Sequence, residues 1–330
     1  MPQVVKEALG LDVGTSRIVL ARQNAGGFEY RSQLNAFVEV PFSKVTANML
    51  KKANVPHKVE GETIIVHGNE CANFADMLQV ETRRPMTRGI MNSNETFGSE
   101  IIAQLVATLL EGESTKNKRV YYSVPAAPAG EEANLTFHDA SIGQMLRSLG
   151  FEAQSVNEGL AVVYSEMEDS NYSGIGISCG GGLCNVCISY LAVPVMTFAV
   201  AKAGDFIDSS AASVTGELAT RIRMAKEQSF YINGHSADKV QQVLSVYYDD
   251  MIRTLVNSLA EACTSARAPK FGKPVPIVLS GGTTMPKGFK ERFEKILNES
   301  SFPLAISEIR MAGDPLTATA KGALVAALAE

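Results

Sequence analysis

Apolar residues alternate with polar or small residues in several short runs of this chain, and elsewhere they recur every three or four residues. Residues 95–111 place Ile101, Ile102 and Leu105 on one helical face, which predicts a core helix. Further along, strand and helix patterns alternate, which predicts an α/β fold with parallel strands joined by right-handed crossovers. The period-two pattern predicts three strands at the start of the chain, at residues 6–13, 16–23 and 27–33.

The same patterns predict most of the remaining elements. A helix over residues 129–149 should end at Gly150, where a C-cap glycine is expected, and a strand over residues 151–156 should lead into a helix at Glu158. Residues 38–84 show little periodicity and form a mixed insertion, with a clear strand at residues 63–67 and a helix at residues 69–77. Four further helices are predicted: one long helix within residues 201–228, one over residues 240–266, one starting near Pro286, and a last one over residues 316–330.

One stretch occurs twice in similar form. Residues 174–190, GIGISCGGGLCNVCISY, give a strand, a turn of three glycines and a returning strand. Residues 8–20, ALGLDVGTSRIVL, repeat this design and place Asp12 at the tip of the first strand. Either segment alone could be an ordinary glycine hairpin, but two copies suggest two similar halves that present uncovered turn amides to one phosphate-bearing ligand. A carboxylate at such a tip suits Mg²⁺, which keeps several of its waters.

Composition narrows the class of protein. The chain has 330 residues, of which 45% are hydrophobic, and this is long enough for two globular lobes. Its net charge is −5 and its pI about 5.6, without a basic stripe, so nucleic acid is not an expected partner. Without an apolar run of transmembrane length or a signal peptide, and with an odd number of cysteines, the expected location is the cytoplasm.

Five motifs follow one another along nearly the whole chain. They are Asp12 with Gly14 and Thr15, Glu158, the glycines 180–182, SGGTTMPKGF at residues 280–289, and Ala320 to Ala323. In this order they resemble the actin and heat-shock-chaperone ATPase superfamily. The segment RPMTRG at residues 84–89 and the general layout look most like the MreB-type bacterial actins. The resemblance implies an actin-like ATPase fold, in which two similar lobes with mixed five-stranded sheets close around Mg-ATP.

The resemblance also implies a role for each match. Asp12 would orient the water shell of Mg²⁺, with Asp205 either a second metal neighbour or a structural cap. Glu158 would position or activate the attacking water, and this role is favoured over that of a helix N-terminal carboxylate because the connecting-helix position matches. The residues expected to hold the phosphates are Asp12, Gly14, Thr15, Ser16, Gly180, Gly181, Gly182 and Leu183. Those expected near the adenosine are Gly281, Gly282, Thr283, Met285 and, on the long helix, Arg223.

Two departures from the superfamily pattern affect the expected function. Ser178 and Cys179 occupy the place before the second glycine turn where the superfamily has an acidic residue, so hydrolysis should be slow or absent. The outer subdomain of the second lobe is reduced to about residues 226–242. The expected domains are residues 1–165 with an insertion at 35–88, residues 166–317 as the second lobe, and residues 318–330 returning to the first.

Three functions are compatible with this resemblance. The first is a cytoskeletal protein that assembles with ATP into a longitudinal homopolymer, with an unidentified adaptor or cargo and without a direct membrane anchor. The alternative is a non-polymerising, nucleotide-gated adaptor similar to pilus-assembly or reactivase proteins of the same fold. A sugar or acetate kinase of this fold would need an additional catalytic acid and a substrate pocket, and the sequence offers neither.

Overall fold

The first lobe begins with a three-stranded meander and ends in strand–helix units. The computed structural model describes residues 8–113, 118–127, 132–232, 238–265 and 271–330. The elements of the first lobe are β1 (Ala8–Val13), β2 (Arg17–Asn24), β3 (Gly27–Leu34), β4 (Phe37–Pro41), α1 (Lys44–Lys52), β5 (His57–Glu60), β6 (Thr63–His67), α2 (Cys71–Leu78), β7 (Met86–Thr87), β8 (Ile90–Met91), α3 (Gly98–Leu109), β9 (Arg119–Val124), α4 (Glu132–Ser148), β10 (Glu152–Asn157) and α5 (Glu158–Glu166).

The second lobe repeats the meander and then forms longer helices. Its elements are β11 (Gly174–Cys179), β12 (Cys184–Tyr190), β13 (Val193–Val200), α6 (Gly204–Thr215), α7 (Ala219–Ser229), α8 (Lys239–Thr264), β14 (Val275–Ser280), α9 (Phe289–Glu299), β15 (Ile306–Met311) and α10 (Ala318–Ala329). The predicted strand start at residues 6 and 7 and the predicted helix start at residues 129–131 lie outside the described residues.

Each lobe is built on a five-stranded mixed sheet. The strand orders are β10-β9-β1-β2-β3 and β13-β12-β11-β14-β15. In each sheet an antiparallel meander supplies three strands and two parallel strands follow, so β1 pairs with β9 as β11 pairs with β14. This confirms the predicted fold class. It also brings the β1–β2 and β11–β12 turns to equivalent positions at the ends of the two sheets.

The insertion is more regular than its sequence suggested. Strands β4, β6 and β5 form a separate three-stranded sheet, and α1 and α2 accompany it. Strand β6 matches the predicted strand and α2 overlaps the predicted helix, whereas β4, α1 and β5 were not predicted. These missed elements are short, and the buried side chains of β4 and β6 pack into a small core of their own around Leu50.

Helices α5 and α10 pack between the two sheets through glycines. A Cβ on Gly322 would lie 1.7 Å from the carbonyl oxygen of Ala161, and one on Gly10 would lie 2.1 Å from that of Ala320. A Cβ on Gly159 would lie 2.6 Å from the amide nitrogen of Cys187. Only glycine permits this backbone approach. Because α5 is held so closely against β12, its first residue, Glu158, is fixed at the junction of the lobes.

Two of the predicted helices have other boundaries in the structure. The single long helix is instead α6 and α7, because Gly216 ends α6 with a φ of 81°, a conformation that favours glycine. The helix predicted to start near Pro286 starts at Phe289, because Gly288 precedes it with a φ of 88°. A short 3₁₀ turn over Gly282–Thr284 lies between β14 and α9 instead.

The connection between α7 and α8 is short, as the sequence predicted for the reduced outer subdomain. Tyr231 forms an isolated bridge with Lys287, and the amide of Ile232 donates to the Lys287 carbonyl at 2.8 Å. Residues 233–237 lie outside the described part of the chain. The predicted domain limits stay a prediction.

Candidate functional site

A cavity of about 580 Å³ lies between the two lobes. Strand ends, both hairpin turns and helices of both lobes line it, so it lies at the edge where the strands of both sheets end. All the residues predicted from sequence for the site border this one cavity. They are Asp12, Gly14, Thr15, Ser16, Glu158, Gly180, Gly181, Gly182, Leu183, Asp205, Arg223, Gly281, Gly282, Thr283 and Met285.

The two hairpin turns have the same hydrogen bonding. The amide of Gly14 donates to the Arg17 carbonyl at 3.0 Å, and the amide of Gly180 donates to the Leu183 carbonyl at 2.9 Å. Within the described part of the chain, the amides of Gly181 and Gly182 have no protein acceptor. Backbone amides left free in a tight turn form a concave site for an anion.

The second turn needs glycines because atoms of the first lobe lie very close to its backbone. A Cβ on Gly181 would lie 2.1 Å from Ser16 Oγ, and one on Gly182 would lie 2.5 Å from Thr15 Oγ1 and 2.6 Å from the amide nitrogen of Gly89. Residues 180–182 all keep negative φ, so the close approach of neighbouring atoms, not a left-handed backbone, accounts for these glycines. Side chains here would push the lobes apart.

Asp12, which is half-buried, and Glu158, which is buried, place two carboxyl groups in the lining of the cavity. Ser123 Oγ donates to Asp12 Oδ1 at 2.6 Å, and Asn185 Nδ2 donates to Glu158 Oε2 at 2.9 Å. Burial raises the pKa of Asp12 to about 6, against the opposing hydrogen bond from Ser123. Burial and then repulsion from Asp12 raise the pKa of Glu158 to about 8. The site therefore holds two carboxyl groups with raised pKa values, and positive charge brought near them favours their ionised forms.

Ser178 lies at the end of β11 beside these carboxylates. Its hydroxyl is 3.4 Å from Thr319 Oγ1 on α10, and the residue is 4% exposed. Asn185 also accepts from the amide of Ala126 at 2.8 Å, so this side chain ties the second sheet to the first lobe. Sequence reasoning missed the roles of Ser123, Asn185 and Thr319. The sequence feature that could have identified them is a polar residue at a position where the strand or helix pattern predicts burial.

The turn after β14 forms the opposite wall of the cavity. Gly281 has a φ of 94°, and a Cβ there would lie 2.2 Å from the Cys179 carbonyl oxygen. Thr283 Oγ1 donates to the Gly180 carbonyl at 2.7 Å, which joins this turn to the glycine turn. Met285 lines the mouth with 51% exposure, together with Tyr231 and Leu316, which were not predicted.

Helices α6 and α7 bring charged groups to the remaining wall. Arg223 Nε donates to Asp208 Oδ2 at 3.2 Å, and Lys226 Nζ lies 2.6 Å from Asp208 Oδ1. Asp205 lies 3.0 Å from Arg84 Nη1 and 3.9 Å from Arg223 Nη2. The adenosine role of Arg223 and the metal role of Asp205 stay predictions, and the ion pairs of Asp205 compete with a metal ion for this carboxylate.

The cavity suits a magnesium nucleotide on three counts. Its volume lies in the range of small-molecule sites, Gly181 and Gly182 offer amides without a protein acceptor, and the carboxylates of Asp12 and Glu158 line the same cavity. Among the described residues there is no cluster of three or more His, Cys, Asp or Glu side chains that could hold a metal alone. Mg²⁺ does not need one, because one or two carboxylates plus substrate phosphates hold it.

This architecture is that of the actin-like ATPase fold. A double-helical MamK filament structure matches with a TM-score of 0.69 and 18% identity over 97% of this chain and 98% of that one. A non-polymerising point mutant of MamK bound to AMPPNP matches with a TM-score of 0.58 and 18% identity, over 98% of both chains. The ethanolamine utilization protein EutJ from Carboxydothermus hydrogenoformans matches with a TM-score of 0.56 and 15% identity, over 98% of this chain and 92% of that one.

The particular family follows from the sequence. A sequence model of the Volactin family matches residues 8–327, and the chain belongs to that family. No curated protein matches it significantly. In the described residues, every helix is too short or too polar to cross a membrane.

Proposed function

We propose that this chain is an actin-like filament protein that binds ATP with Mg²⁺ in the cleft and hydrolyses it slowly. The observation that carries the proposal is the convergence of three turns on one cavity. The turns at Gly14–Ser16, Gly180–Leu183 and Gly281–Thr283 all line it, and the first two share one hydrogen-bonding pattern. The AMPPNP-bound MamK structure supports a nucleotide as the ligand.

The residues divide into two groups by chemistry. Amides of the two hairpin turns would hold the phosphates, because unpaired backbone N–H groups stabilise anions. Mg²⁺, when bound, would neutralise phosphate charge, and Asp12 and Glu158 are the carboxylates placed to hold its waters. Glu158 would also orient the attacking water. Ser178 supplies no negative charge where the superfamily has an acidic residue, so turnover should be slow.

Assembly would follow from closure of the cleft. A ligand that binds the closed state better shifts the chain towards it, and a closed protomer can repeat the same head-to-tail contact along a line that does not form a ring. The MamK filament supports this part of the proposal, since it is a polymer of chains with the same fold.

A nucleotide-gated adaptor is the second candidate, and one observation favours it. The connection between α7 and α8 is short, so a subdomain that could contribute to filament contacts is reduced. EutJ, whose name does not describe a filament, matches almost the whole chain as well.

Sedimentation with negative-stain microscopy would separate these candidates. The purified protein would be examined with Mg-ATP, with Mg-AMPPNP, with Mg-ADP and without nucleotide, while phosphate release is followed. Filaments with ATP or AMPPNP and little phosphate would support the proposal. Tight nucleotide binding by calorimetry without polymer in any state would favour the adaptor. Absence of nucleotide binding would overturn both.

A further inference from the structure

A short segment of the first lobe contacts the second lobe at two separate points. Glu81 and Thr82 meet the start of α7, and Arg84 meets Asp205 on α6. We infer that Glu81, Thr82 and Arg84 form a cross-lobe clamp, and that Arg84 is a positioning residue that sets the spacing of the two phosphate-binding turns. The inference rests on the proposed nucleotide site but concerns three residues that lie outside the lining of the cavity.

Arg84 lies where the two turns meet. Its Nη1 donates to Ser16 Oγ at 2.7 Å and lies 3.4 Å from the Thr15 carbonyl oxygen, so it is bound to the first turn. The same nitrogen would lie 3.1 Å from a Cβ placed on Gly181, in the second turn. The side chain is 10% exposed. The guanidinium therefore lies between the turns and outside the lining of the cavity.

Asp205 carries this contact into the second lobe. It lies 3.0 Å from Arg84 Nη1, and its own amide donates to the Gly181 carbonyl at 2.7 Å. Among the described residues, Nε and Nη2 of Arg84 are buried without an acceptor. Asp205 is therefore the nearest carboxylate partner of a buried cation. The side chain of Asp205 is 34% exposed, whereas that of Arg84 is buried. Removing Asp205 leaves the buried guanidinium without its nearest carboxylate, so the lobes should separate to let water reach it.

Glu81 forms the second contact of the clamp. Its two carboxylate oxygens accept from the amides of Ala219, at 2.7 Å, and Thr220, at 3.0 Å. These are the first residues of an 11-residue helix, where a carboxylate binds free amides and the positive end of the helix dipole. The amide of Thr82 donates to Thr220 Oγ1 at 3.3 Å. Because α7 is tied to α6 through Asp208, both contacts hold the same pair of helices.

The neighbouring arginine provides a matched control. Arg83 lies 2.7 Å from Glu95 and also pairs with Glu39, and its guanidinium lies 4.9 Å from the centre of the Phe37 ring. All three partners belong to the first lobe. Arg83→Gln and Arg84→Gln therefore make the same chemical change at adjacent positions, but only the second breaks a contact across the cleft.

The experiment compares Arg84→Gln, Asp205→Asn, the double variant and Arg83→Gln. Affinity and release rate would be measured with a fluorescent ATP analogue. The distance between the lobes would be measured by electron spin resonance, with spin labels on cysteines introduced at the exposed Met49 and Val246. The native cysteines in the described residues are all buried, so labelling should be selective.

Each single variant should weaken nucleotide affinity at least tenfold and broaden the inter-lobe distance distribution. The double variant should bind nucleotide no more weakly than the single variant with the larger loss of affinity, because the two residues act as one pair. The nucleotide affinity of Arg83→Gln should stay within twofold of that of the parent protein. Arg84→Lys keeps the positive charge but lacks the planar guanidinium, so its nucleotide affinity should lie between those of the parent and Arg84→Gln. If Arg84→Gln does not fold, Arg84→Lys is measured in its place.

Two results would overturn the inference: equal effects of Arg83→Gln and Arg84→Gln, or additive losses in the double variant. Failure of the proposed function would be distinct, because the parent protein would then bind no nucleotide. The distance measurement without nucleotide would still decide the clamp. A narrow distribution in the parent that broadens in Arg84→Gln supports it, and identical distributions refute it.

Discussion

Glu158→Gln should make the stability of the nucleotide-free protein less dependent on pH. Glu158 is 7% exposed, and burial followed by repulsion from Asp12 raises its pKa to about 8. The folded protein therefore retains a proton that the unfolded chain loses above its ordinary pKa of 4.5. A raised pKa gives stability that is fully present below about pH 4.5 and is lost as the pH rises towards 8. Gln has nearly the same shape, still accepts the Asn185 hydrogen bond and does not titrate.

The expected effect follows from the size of this shift. One pKa unit corresponds to about 1.4 kcal/mol, and most of the interval from pH 5 to pH 8 lies between the unfolded and folded pKa values. The free energy of unfolding of Glu158→Gln, relative to that of the parent protein, should therefore rise by about 3 kcal/mol over this interval. Asp12, whose pKa is raised to about 6, stays in both proteins and contributes a loss of stability at lower pH.

Urea unfolding followed by circular dichroism at pH 5, 6, 7 and 8, with EDTA and without nucleotide, measures this difference. Glu168→Gln, at an exposed position two residues beyond the end of α5, is the control. Curves for Glu158→Gln that run parallel to those of the parent across the whole range would refute the reasoning. Repeating the series with Mg-AMPPNP adds a test of the cation, because positive charge beside the two carboxylates favours their ionised forms. The pH dependence of the parent should then shrink.

Two further changes test the packing and the chemistry of the site. In chemical denaturation, Gly322→Ala should lower the free energy of unfolding by about 3 kcal/mol or more, because its Cβ would lie 1.7 Å from the Ala161 carbonyl oxygen. The control is Gly272→Ala, whose Cβ would lie in open space and should change the free energy of unfolding by less than about 0.5 kcal/mol. Ser178→Asp should raise phosphate release at least tenfold and Ser178→Asn should not; equal rates in both would remove Ser178 as the cause of slow turnover.

The local parts of the site were predictable from sequence. The strand–turn–strand pattern around Asp12 and around residues 180–182 depends on neighbouring residues alone, because alternation and glycine together specify a hairpin. The α5 and α10 helices were also predicted, α5 as the helix that follows the strand before Glu158 and α10 as the last helix of the chain. Errors arose where backbone conformation rather than pattern decided the element. Gly216 and Gly288 each have positive φ, and each moved a predicted helix boundary.

Contacts between distant segments were not predictable in this way. Arg83 and Arg84 are adjacent and chemically identical, yet one pairs within its own lobe and the other pairs with Asp205, which is far along the chain. A strand or helix pattern contains no information about such pairs, because their partners are fixed only when the two sheets meet. Asn185 and Ser123 also look like ordinary strand residues until folding places them against the two carboxylates.

The placement of these long-range contacts bears on how the cleft could respond to a ligand. The two turns touch through Ser16 and Gly181, and Arg84 binds the first turn while Asp205 binds the second. A group that enters between the turns must therefore change the same distance that the Arg84–Asp205 pair spans. A ligand can drive closure of the lobes only through an element whose contacts differ between the open and the closed state. Arg84 supplies one that lies outside the lining of the cavity, so substitution of Arg84 can change closure without removing a side chain that lines the nucleotide site.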